Sequence, residues 1–294
     1  MCFDEPRGEN LVLKKLDSLE QYNILIREVR KECRRPYSNL YYTAEQIQRY
    51  IDLGRAFFYN AEGGVIFLFD EENYYKVGLY LNGEKQFDFP SVDKKLLIRN
   101  VYKEGKKEDV LTTIENKLTE IGFEKQETTA QVVAQVTEVC EKSRRVERHI
   151  FKMQKNGFYC GIVDEARMPE AEQILLDSKI IKDYHIDYRT ESEKNIISGT
   201  YMGIWNKDGK LCAVSIVSII NGIAQGVGIA VREEYKMCGL APILTYYRFR
   251  WLREHGVELT QAWLLLSNQK SILYHSSLGY IITDKRADEW IKEV

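Results

Sequence analysis

Apolar and polar positions along this chain fall into two blocks with one shared order: a strand, helices, then a meander of strands. In the first block residues 10–15 read as a strand, and residues 19–33 and 43–53 carry apolar residues at helical spacing. The second of these helices opens on Thr43-Ala44-Glu45-Gln46, a hydroxyl and an amide placed to satisfy free backbone N–H groups at a helix start. Strands are predicted over 56–60, 65–70 and 75–81, with Gly63-Gly64 and residues 71–73 as the hairpin turns. Residues 95–102 predict a further strand, 107–121 a helix ended by Gly122, and 127–135 a closing strand.

The second block repeats the order. Residues 158–164 predict a strand and 169–178 a helix, with Pro169 in the first turn where its missing N–H is tolerated. The polar, aromatic stretch 182–198 predicts a short helix. Residues 201–206, 211–220 and 223–231 predict three strands, joined at Lys207-Asp208-Gly209 and Asn221-Gly222, where glycine accepts the positive φ of tight hairpin turns. A helix follows over 239–255, with Leu240, Ile243, Leu244, Tyr247 and Trp251 as its apolar stripe. Then come a buried strand over 257–266, a helix over 268–278 stopped by Gly279, and a short strand from 280 to 283.

The blocks diverge after their meanders. The interval 82–93 is too short for a glycine turn and a long helix, so the first block lacks an element present in the second. Residues 136–155 predict a charged helix. Its Lys142, Arg144, Arg145 and Arg148 are interleaved with Glu138, Glu141 and Glu147, the pattern of a solvated face. This predicts a mixed α/β (α+β) chain with domains at 1–135 and 157–294, joined by a linker helix over 136–156.

A length of 294 residues suits roughly two domains, and a net charge of −2 gives no reason to expect nucleic acid or an anionic membrane as partner. The six cysteines form no C-x-x-C pair and there are four histidines, so no metal site is expected. Residues 1–10 are polar and acidic, and the longest apolar stretch, 211–220, is too short to span a bilayer. The expectation is a reduced, cytoplasmic protein, with its oligomeric state open.

The most informative segment runs from Val231 through Lys236-Met237-Cys238-Gly239-Leu240-Ala241, from an apolar strand into a helix. Unpaired N–H groups and the helix dipole favour anions there, Gly239 and Ala241 admit close approach to the main chain, and Lys236 adds charge. This segment resembles the turn of the GNAT acyltransferase superfamily, roughly Val-x-x-x-Tyr-Arg-x-x-Gly-x-Gly/Ala, at Val231, Tyr235, Lys236, Gly239 and Ala241. A second family pattern, Asn-x-x-Ala/Ser-x-x-x-Tyr-x-x-x-Gly-Phe, is met at Asn268, Ser271, Gly279 and Tyr280. There His275 takes the usual Tyr slot and Tyr274 precedes it by one residue. The match covers about residues 158–294. The first block resembles the family only in its order of elements, as a degenerate copy.

The resemblance implies two tandem GNAT-like domains, each a mixed, mostly antiparallel sheet flanked by helices. It implies that strands 223–231 and 257–266 are parallel neighbours that splay apart. The pantetheine arm of acetyl-CoA or another acyl-CoA would lie in that gap against Ile229, Ala230 and Val231. The diphosphate would rest on the turn from Lys236 through Met237, Cys238, Gly239 and Leu240 to Ala241. Asn268 would cap its helix and contact the pantetheine surroundings. Either Tyr274 or His275 would hand a proton to the departing thiolate; one residue of displacement on a helix is about 100° of rotation. Strand 223–231 offers Gln225 but no carboxylate as base, and His185, between Asp183 and Asp187, is the most attractive alternative. A water chain, or an amine arriving neutral, would also serve. The implied activity is acyl transfer to an amine of a small molecule or peptide by direct attack in a ternary complex. A non-catalytic acyl-CoA binder, or a tandem fold without a cofactor, stays open.

Overall fold

The computed structural model describes residues 12–71, 73–83, 85–106, 109–178 and 201–293. The stretch expected to hold a short helix at 182–198, with His185, lies outside them. The first elements in chain order are β1 Lys14–Lys15, α1 Leu19–Glu32, β2 Tyr37–Ser38, α2 Ala44–Asp52, β3 Ala56–Ala61, β4 Gly64–Asp70 and β5 Tyr74–Leu81. Then follow β6 Lys95–Lys103, α3 Asp109–Glu120, β7 Glu124–Lys125, β8 Thr129–Gln135, α4 Val136–Ser143, α5 Glu147–Lys155, β9 Tyr159–Ile162 and α6 Met168–Asp177. The last are β10 Tyr201–Trp205, β11 Leu211–Ile220, β12 Ile223–Val231, α7 Leu240–Glu254, β13 Leu259–Leu265, α8 Gln269–Ser277 and β14 Ile281–Lys292.

Local chemistry explains most boundaries. Thr43 and Gln46 make the reciprocal cap at the start of α2. Asn221 and Gly222 both adopt positive φ, 51° and 76°, which suits a tight hairpin turn between β11 and β12. Gly279 (φ 93°) stops α8, and a Cβ there would lie 2.6 Å from the Glu138 carboxylate.

The chain folds into two compact units, Met1–Thr128 with Lys285–Val294, and Thr129–Asp284. In the first unit the strand order is β1-β3-β4-β5-β6-β14. Its pairs are antiparallel except β5 with β6. Both faces of β4 are buried. Val65, Phe67 and Phe69 pack with Tyr22, Val29, Ile47 and Ile51 of α1 and α2. Ile66 and Leu68 pack on the opposite side with Ile114 and Leu118 of α3 and with Trp290.

In the second unit the order is β8-β13-β12-β11-β10-β9. Only β12 and β13 run parallel. Tyr201 and Trp205 of β10 meet α6, whereas Met202 and Ile204 meet Leu240, Ile243 and Leu244 of α7. α7 buries Thr245, Arg248, Phe249 and Leu252 as well. Its inner face therefore departs from the expected stripe, in which Tyr247 and Trp251 prove only partly buried.

Each unit receives its closing strand from the other block. The strand expected to end the first domain, β8, pairs with β13 over Gln135↔Leu259 to Thr129↔Leu265. The short strand expected over 280–283 continues as β14 and pairs with β6, from Lys285↔Lys103 to Lys292↔Leu96. This differs from the expected boundaries at 135 and 157. The cause is local: α4 begins at Val136, directly after β8. Val136, Val139 and Cys140 are buried with Phe249 and Leu252 in the core of the second unit. Within the stretch expected as a linker helix, Val136, Val139, Cys140, Ser143 and Met153 are buried. The charges of that stretch do form the solvated face, with ion pairs Lys142–Glu138 and Arg144–Glu147. No described helix is long and apolar enough to cross a membrane.

Candidate functional site

β12 and β13 pair only over Ile223↔Leu259 to Gly226↔Ala262, and the parallel ladder goes no further. β13 keeps its antiparallel partner β8 up to Leu265, and β12 keeps β11 up to Val231. The two strands therefore part just beyond Gly226. An irregularity sits at the same place: Val217 pairs with Gly226 but Ile216 with Gly228, so β12 carries one extra residue, a bulge that bends a strand locally.

The open edge can be assigned residue by residue. Arg232 N–H donates to the Cys212 carbonyl at 2.9 Å. Antiparallel neighbours alternate between bonded and non-bonded pairs, so Ala230 and Gly228 also turn their backbone groups toward β11. Ile229 and Val231 turn theirs the other way, into the gap. Of the three residues expected to meet a pantetheine arm, two present free main chain and Ala230 does not.

The turn that follows is rigidly placed. Arg232 bonds the Leu211 carbonyl at 2.7 Å and Glu170 at 2.9 Å. The Tyr235 hydroxyl accepts from Asn206 Nδ2 at 3.1 Å, and Lys210 pairs with Glu234 at 2.7 Å. Lys236 is ion-paired with Glu233. Met237 (φ 66°) and Gly239 (φ 74°) take left-handed backbone conformations, and the Met237 side chain is fully exposed. Gly239 is the N-cap of α7 with no side-chain cap, and a Cβ built on it meets nothing within 4 Å. Leu240 and Ala241 have no intrahelical acceptor for their N–H groups and Pro242 has no N–H, so this helix start is open to an anion.

The proton-donor candidates separate clearly. The Thr245 hydroxyl donates to the Ala241 carbonyl at 3.0 Å, so at 2.8 Å it accepts from the Tyr274 hydroxyl. Burial raises the Tyr274 pKa, against smaller lowering effects of Thr245, Arg248 and Arg145. The phenol therefore stays protonated, one turn below the start of α7. His275 Nδ1 lies 2.8 Å from the Ser271 carbonyl, an acceptor only, so the neutral ring carries its proton there. Burial lowers the His275 pKa, the Ser271 bond opposes this, and Arg248 adds to it. The imidazolium expected for acid catalysis is thus disfavoured. Asn268 caps α8 by accepting from Ser271 N–H at 3.1 Å, as its position suggested.

On the sheet face opposite α7, neutral amides stand where a strand carboxylate would be sought. Gln131 donates to Gln261 at 2.8 Å, Gln261 donates to Gln225 at 2.6 Å, and Gln225 donates to the Ile223 carbonyl at 3.2 Å. Thr245 and Arg248 escaped the sequence reading because polar residues on a surface helix normally face water. Arg248 is buried, donates to the Ser215 hydroxyl at 3.0 Å and lies 4.9 Å from the Phe249 ring centre. Among the described residues it has no carboxylate partner.

A mixed sheet opens beside a glycine-started, uncapped helix, the arrangement that the resemblance implied. Residues 168–280 match the Acetyltransferase (GNAT) family, and this stretch lies within the second unit. Among solved structures, the chain is similar to a GCN5-related N-acetyltransferase from Sphaerobacter thermophilus (12% identity, 97% of this chain and 96% of that one, TM-score 0.54). It is similar to a tandem GNAT protein from the clavulanic acid biosynthesis pathway (12%, 96% and 98%, TM-score 0.55). A fungal glucosamine N-acetyltransferase region within a multi-domain β-N-acetylglucosaminidase also aligns (9%, 98% and 39%, TM-score 0.60). At these identities the likeness is one of fold. No curated protein matches the chain.

Proposed function

We propose that the second unit is an N-acyltransferase, moving an acetyl or other acyl group from acyl-CoA to an amine of a small molecule or peptide within a ternary complex. The observation that carries this reading is the open edge of β12 running straight into the uncapped start of α7. The carrier supplies an acyl group already activated as a thioester. Main-chain groups of Ile229 and Val231 are suited to bind its arm. The amides of Met237, Gly239, Leu240 and Ala241 are suited to its diphosphate, beside Lys236 and the flanking Cys238. Tyr274 holds a proton at its phenol oxygen for the departing thiolate. His275 packs edge-on against Tyr280, with ring centres 5.0 Å apart; it serves to position α8. The base is unassigned on β12, and His185 remains the proposal for it.

The test is a thermal-shift series of the full chain with CoA, acetyl-CoA and longer acyl-CoAs, repeated in Gly239→Glu, followed by CoA release with a broad panel of amines. Saturable stabilisation abolished by Gly239→Glu, with CoA release for some amine, is the expected result. The absence of stabilisation by any carrier would overturn the reading. A second reading, a non-catalytic acyl-CoA binder, is favoured by the amide ladder in place of a carboxylate; it requires stabilisation without CoA release for any amine.

A further inference from the structure

The first unit has its own parallel pair, β5 and β6, and these also part early: they pair only over Tyr74↔Lys95 to Lys76↔Leu97. Here the gap is filled by the chain itself. β2 pairs with the end of β5 at Tyr37↔Leu81 and Ser38↔Tyr80. Asn39 then bridges both strands. Its amide donates to the Val77 and Arg99 carbonyls at 3.1 and 3.3 Å and accepts from Leu79 N–H at 2.6 Å. Tyr37 reaches Asn100 at 2.6 Å, and the Tyr41 hydroxyl both donates to and accepts from the main chain of Val101. No described residue between 82 and 94 is helical, so no helix start faces this gap.

The plug is a short extended segment, so its side chains alternate. Tyr37, Asn39 and Tyr41 close the gap. Pro36, Ser38 and Leu40 instead line an open cleft of about 590 Å³, whose other walls are Tyr22, Ile26, Arg30 and Arg34 from α1 and the turn after it, and Tyr80 of β5. That volume lies within the usual range of small-molecule sites. Arg30 Nε donates to the Tyr80 hydroxyl, which leaves the phenol proton free to donate onward. Neither Arg30 nor Arg34 has a carboxylate partner among the described residues. Tyr22 has its pKa pushed up to about 12, chiefly by burial, and so adds no negative charge. Two guanidiniums and three hydroxyls, those of Tyr22, Ser38 and Tyr80, around an apolar floor of Ile26, Pro36 and Leu40 form a recognition set for an oxyanion on a small apolar body.

We propose that the first unit, its carrier groove closed by its own residues 37–41, binds a small organic anion, a carboxylate or a phosphate ester, in the cleft between α1 and that plug. This site is separate from the acyl-carrier site and does not depend on it. The test is calorimetric titration of the full chain with inorganic phosphate, phenyl phosphate and hexanoate, in wild type, Arg34→Gln, Arg30→Gln/Arg34→Gln, Tyr80→Phe and Gly239→Glu. The expected result is one saturable site for phenyl phosphate or hexanoate, the tighter of the two naming the headgroup. Arg34→Gln should weaken it by tenfold or more and Tyr80→Phe by a few fold, with no change in Gly239→Glu. Arg34 is exposed, so its variant is expected to fold. The absence of saturation by any probe, or equal affinity in the double arginine variant, would overturn the proposal. Loss of the site in Gly239→Glu would overturn it too, by placing the anion at α7.

Discussion

At the scale of single side chains, burial pushes the two candidate proton donors in opposite directions. Tyr274 stays protonated because burial raises its pKa and outweighs the smaller lowering effects of Thr245, Arg248 and Arg145. Tyr274→Phe is therefore expected to slow turnover by tenfold or more, about 1.4 kcal/mol on the barrier, with little change in carrier affinity; steady-state rates at saturating carrier check this. His275 works in the opposite sense. Its folded pKa lies below the unfolded value, so it contributes stability that is fully present above about pH 6.5 and is lost as pH falls. His275→Gln should flatten the fall in Tm between pH 7.5 and 5.5, and an unchanged slope would refute the assignment. Arg248 is buried without a carboxylate, a costly placement for a charge. Arg248→Met should leave stability unchanged or raise it by up to ~1 kcal/mol in urea melts. A loss above ~2 kcal/mol would mean that its bond to Ser215 and its ring contact outweigh desolvation.

At the scale of elements, the two units show what one strand pair does with different neighbours. In the second, β12 and β13 open toward a helix that starts on a left-handed glycine. In the first, β5 and β6 open onto β2. Gly78 on β5 leaves room for Leu40 there: a Cβ would fall 2.2 Å from Leu40 Cδ2, so that side chain would have to shift. Gly78→Val should expel the plug and destabilise the first unit by about 1–3 kcal/mol, read from amide exchange at residues 37–41. Hairpins, caps and helix stops were legible in the sequence because each is decided within a few residues, as at Thr43–Gln46 and Asn221–Gly222. The turn at Gly239 was legible for the same reason. The plug was not, because Tyr37 to Tyr41 look like an aromatic loop until β5 and β6 are placed beside them. The inward face of α7 was misjudged at Thr245 and Arg248, whose burial depends on partners from β11 and α8.

For the whole molecule, the decisive feature is the exchange of closing strands. Neither β8 (TAQVVAQ) nor β14 (IITDKRADEWIK) shows a clean alternation of apolar and polar residues, so periodicity alone could not say which sheet each would join. Asp288 shows how firmly β14 is held in the first unit. Its fully buried carboxylate pairs with Lys125 at 2.6 Å and accepts from Thr128 at 2.6 Å and from Tyr102 at 3.3 Å. Asp288→Ala should lower the stability of the first unit by on the order of 2–3 kcal/mol, read from a denaturant midpoint that monitors Trp290. A midpoint unaffected by the substitution would show that the strand is held by its ladder alone.

This exchange sets a timetable for synthesis. The half made first lacks an edge of its sheet, and part of its apolar filling at Trp290, until residues 285–292 have been translated. At roughly 5–20 residues per second, that is a wait on the order of ten seconds or more, with the β6 edge exposed on the nascent chain. An unfinished sheet edge is what chaperones shield and what aggregates recruit. Yield in the cell should therefore depend more on events in the first half during translation than on the equilibrium stability of either half.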